Sequence, residues 1–199
     1  MCLGLAAPVL WAAPVSLFDG KSFQGWEGDT AKTWRIEGGA IVAGSLTQMV
    51  PRNEFLATTR RYTNFVLRLK VKLTGTEGFV NSGVQIRSER IPNHHEMVGY
   101  QADIGAGWWG AIYDESRRNK VMAKPDEAVV KKAVKDGEWN DYEIRAEGRR
   151  VVLKINGIQT VDYTEQDEKL VQSGLIAVQV HGGGKTVVAF KDLTIEELP

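Results

Sequence analysis

The sequence predicts an all-β protein, an antiparallel sandwich or jelly roll of short strands with one short helix. Three observations predict it. Apolar and charged residues alternate from Thr63 to Leu73: Phe65, Leu67, Leu69, Val71 and Leu73 share one parity, and Arg68, Lys70 and Lys72 take the other. A period of two over that length marks a strand with one buried face. The strand-like segments are many, short and punctuated by glycine, as in antiparallel all-β domains. Only the stretch 125–135 has a helical pattern, with Asp126 as a capping residue and Val129, Val130 and Ala133 as an apolar side.

The remaining elements follow in order. Val15 to Phe18 reads as a short strand before the Asp19-Gly20 turn. Thr33 to Glu37 and Ala40 to Ala43 pair as a hairpin about Gly38-Gly39. Glu54 to Thr58, Phe79 to Ser88, Val98 to Ile104 and Trp108 to Tyr113 supply further strands. Tyr142 to Ala146, Val151 to Ile155, Leu175 to Val180 and Val187 to Ile195 complete the set. Asn156-Gly157, after Ile155, is a strong two-residue hairpin signal. No repeat and no linker divides residues 15–199, which read as one domain with one core.

Bulk composition narrows the partners. The chain has 25 basic and 25 acidic residues and a formal net charge of zero, which gives no electrostatic reason to expect nucleic acid or an anionic membrane. Residues 1–14 are mostly small and apolar and end in Ala12-Ala13-Pro14. They resemble the hydrophobic region and small-residue end of a secretory signal, and are too short to span a bilayer. An exported protein, periplasmic or extracellular and without an integral membrane segment, is the expectation. The only cysteine, Cys2, lies in that leader, so the domain has neither a disulfide nor a cysteine nucleophile.

The stretch from Phe79 to Arg118 concentrates histidine, tryptophan, carboxylates, guanidiniums and amides. Strand parity sorts them. Gln85, Arg87 and Glu89 oppose Val84 and Ile86; Gln101 and Asp103 share a face; Gln179 and His181 oppose Ile176, Val178 and Val180. If those faces belong to one sheet, they form a polar patch on rigid backbone, suited to a hydroxyl-rich ligand. The alternative is a solvated outer face, which antiparallel sheets commonly have.

His94-His95-Glu96 lacks the spacing of a helical zinc site. Metal binding, acid-base work and plain hydrogen bonding all remain open for it. Of Trp108-Trp109, only one ring can face the core from a strand, which leaves the other for a cleft. Asp114 to Arg118 reads equally as an exposed turn held by ion pairs or as a pocket rim. There is no GxSxG, no P-loop and no GxGxxG after a strand.

The run Leu17-Phe18-Asp19-Gly20-Lys21-Ser22-Phe23-Gln24-Gly25-Trp26 resembles the opening motif of the 3-keto-disaccharide hydrolase domain family (DUF1080). Trp34 to Ile41, Asn81 to Arg87, Gly99 to Ile104, Trp139 to Tyr142, Ile155 to Gly157 and Gly174 to Leu198 resemble it in turn, so the likeness covers nearly all of the domain. The resemblance implies a concanavalin-A-like jelly-roll sandwich of two antiparallel sheets that acts on or binds sugars. It also implies cleavage of glycosides already oxidised to a ketone at C3. Such a ketone acidifies the C2 proton, so a base removes it, the C1 substituent leaves by β-elimination, and water adds back.

Under that resemblance His95 or Glu96 is the base, with Asp103 as alternative, and Arg87 and Gln101 hold or polarise the ketone. Trp109 and Tyr113 shape the sugar pocket. Glu54, Gln85, Glu115, Arg117, Gln179 and His181 supply further contacts to an oxidised disaccharide or glycoside. No cofactor is fixed by these residues; a divalent metal ion is a candidate for the cation at the enolate. Two readings compete with the enzyme: ordinary two-carboxylate hydrolysis, and a non-catalytic carbohydrate-binding module, since one fold serves both.

Overall fold

The computed structural model describes residues 13–199, so the leader expected over residues 1–14 lies outside the described residues except for its last two. β1 (Val15–Ser16), β2 (Trp26–Glu27), β3 (Trp34–Glu37), β4 (Ala40–Gly44) and β5 (Glu54–Thr58) come first. The long β6 (Phe65–Gly78), β7 (Asn81–Arg90), β8 (Met97–Gly105), β9 (Ile112–Glu115) and β10 (Lys120–Ala123) follow. After the helix α1 (Glu127–Ala133) come β11 (Asn140–Glu147), β12 (Arg150–Ile155), β13 (Ile158–Thr164), β14 (Leu175–Val180) and β15 (Gly184–Glu197).

The strands form two sheets packed face to face, a jelly-roll sandwich. One sheet runs β13-β12-β11-β6-β15-β4-β3, with β1 added against β15, and the other runs β10-β9-β8-β7-β14-β5-β2. Every pairing between these strands is antiparallel. Leu67, Val71, Ile144, Leu153 and Phe190 of the first sheet meet Val84, Ile86, Ile104, Ile176 and Val178 of the second in one core. Each such side chain contributes about 1.5–3 kcal/mol by burial. The parity of β6 holds: its apolar set is buried, while Arg68 pairs with Glu143 and Lys70 with Asp141 on the outer side. No described helix is long and apolar enough to cross a membrane.

Several elements differ from the sequence reading, which did not include β2, β10 or β13 as strands. The strand expected from Trp108 starts only at Ile112. Gly105 (φ 146°), Gly107 (φ 77°) and Gly110 (φ 72°) wind the preceding residues into a turn in which both Trp108 N and Trp109 N donate to Gly105 O. β13 is the return arm of the Asn156-Gly157 hairpin, whose positive φ values of 49° and 79° match the twist of its strands. Asp126 does precede α1, but its side chain makes no capping hydrogen bond.

The outer face of the second sheet positions the site. It is not a solvated face: Gln85, Gln101, Asp103 and Gln179 are all buried.

Candidate active site

Register brings the polar residues of four strands together. Gln85 lies opposite Gln101, and Gly83 opposite Asp103. Gln101 in turn faces Tyr113, and Gly99 faces Glu115. On the other side Gln179 faces Gly83. Because strand side chains alternate, these residues share the face turned away from the core.

A hollow of about 140 Å³ opens on that face. Gln101 and Asp103 contribute its polar floor, and Asn81, Glu115 and His181 line it beside them. Phe79, Trp108 and Tyr113 give it aromatic walls. Their rings meet edge to face: Phe79 with His181 at 4.7 Å, Phe79 with Trp108 at 6.4 Å, and Trp108 with Tyr113 at 6.0 Å. Ring faces and edges of this kind suit the C–H surface of a sugar.

Asp103 is the unusual group. Its Oδ1 accepts from Gln101 Nε2 at 2.8 Å, while its buried Oδ2 has no donor among the protein's own groups. Burial pushes the carboxyl up to about 8; the Gln101 bond offsets this only in part, and the Glu115 charge adds to it. Burial likewise pushes Glu115 up to about 7, with the Glu96 charge acting in the same sense. At neutral pH the site therefore holds a protonated Asp103 beside a Glu115 poised between its two forms, a pairing typical of acid-base sites.

Gly83 makes room for this arrangement. A Cβ there would lie 2.4 Å from Gln101 Cδ. Gly83→Ala is expected to displace Gln101 and to lower stability by about 1–3 kcal/mol through overpacking. Thermal melts of the variant beside wild type check it.

The loop after Pro92 flanks the hollow. The rings of His94 and His95 stack at 4.5 Å and 22°, and His95 Nδ1 lies 3.1 Å from Asn53 O. Asn53 Nδ2 donates to Glu96 Oε1 at 2.9 Å, and Asn53 Oδ1 accepts from Gly182 N beside His181. Asn53 thus ties this loop to the end of β14. Glu96 Oε2 is buried without a partner. His94, His95 and Glu54 line a separate, broader groove of about 560 Å³ with Arg52 and Arg90, where Glu54 pairs with Arg52.

Of the residues expected at the site, Gln101, Asp103, Tyr113, Glu115 and His181 converge on the hollow. Gln85 stands one hydrogen bond behind Gln101, and Glu96 reaches Glu115 by its charge. Gln179 is buried on the same face with both amide atoms unpartnered.

His95 and Glu54 lie in that separate groove instead, and three further residues are also placed elsewhere. Arg87 sits at a β-bulge (φ 50°) where the β7–β8 register shifts. The bulge turns its guanidinium away to Thr63 O, Gly148 O, Asn64 and Gln172. Trp109 packs into the core, and Trp108 takes the wall instead. Arg117 bonds Asp114 and stacks over the Tyr100 ring at 4.7 Å, away from the hollow. Sequence reasoning missed Phe79, Asn81 and Trp108; parity carried two residues back along β7 from Gly83 would have found Asn81.

Among the described residues no group of three or more His, Cys, Asp or Glu side chains is placed to hold a metal ion. The described donors thus do not form a preassembled metal centre.

Comparison with known proteins agrees with the fold. A candidate glycosyl hydrolase from Parabacteroides distasonis ATCC 8503 superimposes with a TM-score of 0.70 at 21% identity, over 94% of this chain and 94% of that one. The carbohydrate-binding module CBM66 from Bacillus subtilis gives 0.67 at 15% identity, over 87% of this chain and 96% of that one. These likenesses show the fold, which a candidate hydrolase and a binding module share. No curated protein matches the chain. The model of the 3-keto-alpha-glucoside-1,2-lyase-like domain matches residues 13–196, and the chain belongs to that family.

Proposed function

We propose that this carbohydrate-related domain is an exported enzyme that cleaves 3-keto-glycosides by C2 proton abstraction and β-elimination, with the oxidised ring held in the hollow beside Asp103. The observation that carries this reading is Asp103: a buried carboxyl on a rigid strand, anchored through one oxygen, with the other unpartnered, in a residue that lines a pocket walled by aromatic rings. A neutral acid in such a place donates a hydrogen bond to charge that develops only as the reaction proceeds.

The steps follow from the chemistry of the ketone. Asp103 Oδ2–H points at the C3 oxygen and stabilises the enolate. Glu115, ionised in part at neutral pH, takes the C2 proton. The leaving C1 oxygen takes the proton that Glu115 has gained and departs as a hydroxyl, with His181 on the neighbouring wall. Water then adds across the C1–C2 double bond, which puts hydroxyl on C1 and a proton on C2, and releases the 3-keto sugar. The hollow is smaller than the roughly 300 Å³ lower bound for drug-sized ligands, so it takes one ring and leaves the aglycone outside. The apolar leader supports export.

A 3-keto-disaccharide and its unoxidised parent, incubated separately with the protein, test the reading. Turnover of the ketone alone is expected. Binding of both sugars with turnover of neither would replace the enzyme with a binding module, a role that the fold of CBM66 also serves.

A further inference from the structure

We propose that Ser88 and Gln85 are positioning residues: through Gln101 they fix the Asp103 carboxyl with Oδ1 as acceptor, and so leave Oδ2 to carry the proton into the hollow. The inference rests on the reading of that hollow given above.

Four buried side chains form one directed row. Ser88 Oγ donates to Gln85 Oε1 at 2.6 Å, Gln85 Nε2 to Gln101 Oε1 at 3.0 Å, and Gln101 Nε2 to Asp103 Oδ1 at 2.8 Å. An amide has a donor end and an acceptor end, so each bond fixes the orientation of the next group. Ser88 Oγ also lies 3.0 Å from Ile86 O, a longer contact than its bond to Gln85.

The backbone is shaped for this row. In a regular strand Ser88 and Gln85, three apart, point to opposite faces. The bulge at Arg87 restores Ser88 to the side of Gln85. Two missing side chains give the row its space: a Cβ on Gly83 would lie 2.4 Å from Gln101 Cδ, and one on Gly99 2.3 Å from Ser88 Oγ.

Other groups act on Asp103 from the elements around it. Glu115 on β9 and Lys124 after β10 act through their charge, and Tyr113 and His181 share the hollow. Tyr142 on β11 donates its hydroxyl to Asp103 O at 3.3 Å. None of these orients Gln101, which leaves that task to the row.

The test is a ¹³C NMR titration of the Asp103 carboxyl, run beside the pH profile of kcat/KM, in wild type, Ser88→Ala and Gln85→Leu. Without the row, Gln101 is free to turn its carbonyl toward the carboxyl. The protonated form then gains an acceptor and the ionised form loses a donor. The Asp103 midpoint is expected to rise by about one pH unit in Gln85→Leu, less in Ser88→Ala, and the alkaline limb of activity moves with it. Ser88→Ala is the milder change and keeps the test available if Gln85→Leu fails to fold. Midpoints unchanged in the folded variants would overturn the proposal, even with wild-type turnover intact. A midpoint that moves in a protein without turnover would uphold the row and sink the enzyme reading instead.

Discussion

Asp103→Leu is expected to lower kcat for a 3-keto-glycoside by about 10²–10³-fold, the usual loss for one donor at a developing oxyanion. Asp103→Asn keeps a weaker donor in the same place and loses less. The pH profile carries a second signature. The proposed mechanism requires Glu115 ionised and Asp103 protonated, so kcat/KM is expected to rise as pH climbs through about 7 and to fall as it passes about 8. Glu115→Gln removes the acidic limb along with most of the activity.

Stability falls with rising pH throughout that range. The Asp103 carboxyl binds its proton more tightly when folded than at its ordinary value of 3.8. Its contribution is therefore whole below pH 4 and is lost as pH rises to about 8. The loss is on the order of 5 kcal/mol before the structure relaxes. Asp103→Asn removes the titration, so at pH 9 it should melt above wild type while turning over substrate more slowly. Melts across pH 5 to 9, with rates on the same samples, check both halves. A variant less stable than wild type at pH 9 would contradict the account.

Asp114→Ala is expected to be the most destabilising change near the site. The Asp114 side chain is fully buried and accepts from Arg117 at 2.9 Å and from Arg118. Arg118 also bonds Glu165, which accepts from the Tyr100 hydroxyl at 2.5 Å and the Tyr163 hydroxyl at 2.9 Å. Burial alone would raise the Glu165 carboxyl; the bonds from Arg118 and Tyr100 outweigh it and hold the group well below the usual range. Truncating Asp114 leaves two arginines without their shared partner. The cost is about 3 kcal/mol, the lower end for a broken buried pair because both guanidiniums reach some solvent, or a fall in Tm of about 6–12 °C. Activity at low temperature should fall far less, since Asp114 faces away from the hollow that Glu115 lines. Thermal melts and kcat at 15 °C separate the two effects.

Much of this was legible in the sequence because strand parity is a strict rule. It placed the two faces of β6, and it put Gln101, Asp103 and Gln85 on one side of their sheet. The same rule misplaced Arg87, because one bulge reverses every assignment beyond it and nothing local to Ile86-Arg87-Ser88 announces a bulge. The tryptophans were exchanged for a related reason. Gly105, Gly107 and Gly110 wind the chain into a turn, and alternation carries no meaning there. The separation of His95 from the hollow depends on Asn53, some forty residues away in sequence. No pattern in the chain records that contact. Of the two readings of that face, the solvated one does not hold: Gln85, Gln101, Asp103 and Gln179 are buried.

Deuterium at C2 tests the central claim most directly. A 3-keto-disaccharide is incubated with the protein in D₂O, beside Asp103→Leu and a sample without protein. Abstraction of the C2 proton followed by rehydration predicts one solvent deuterium at C2 of the released 3-keto sugar, formed at a rate that collapses in the variant. Release of the sugar with its C2 proton retained, or at an undiminished rate in Asp103→Leu, would contradict it.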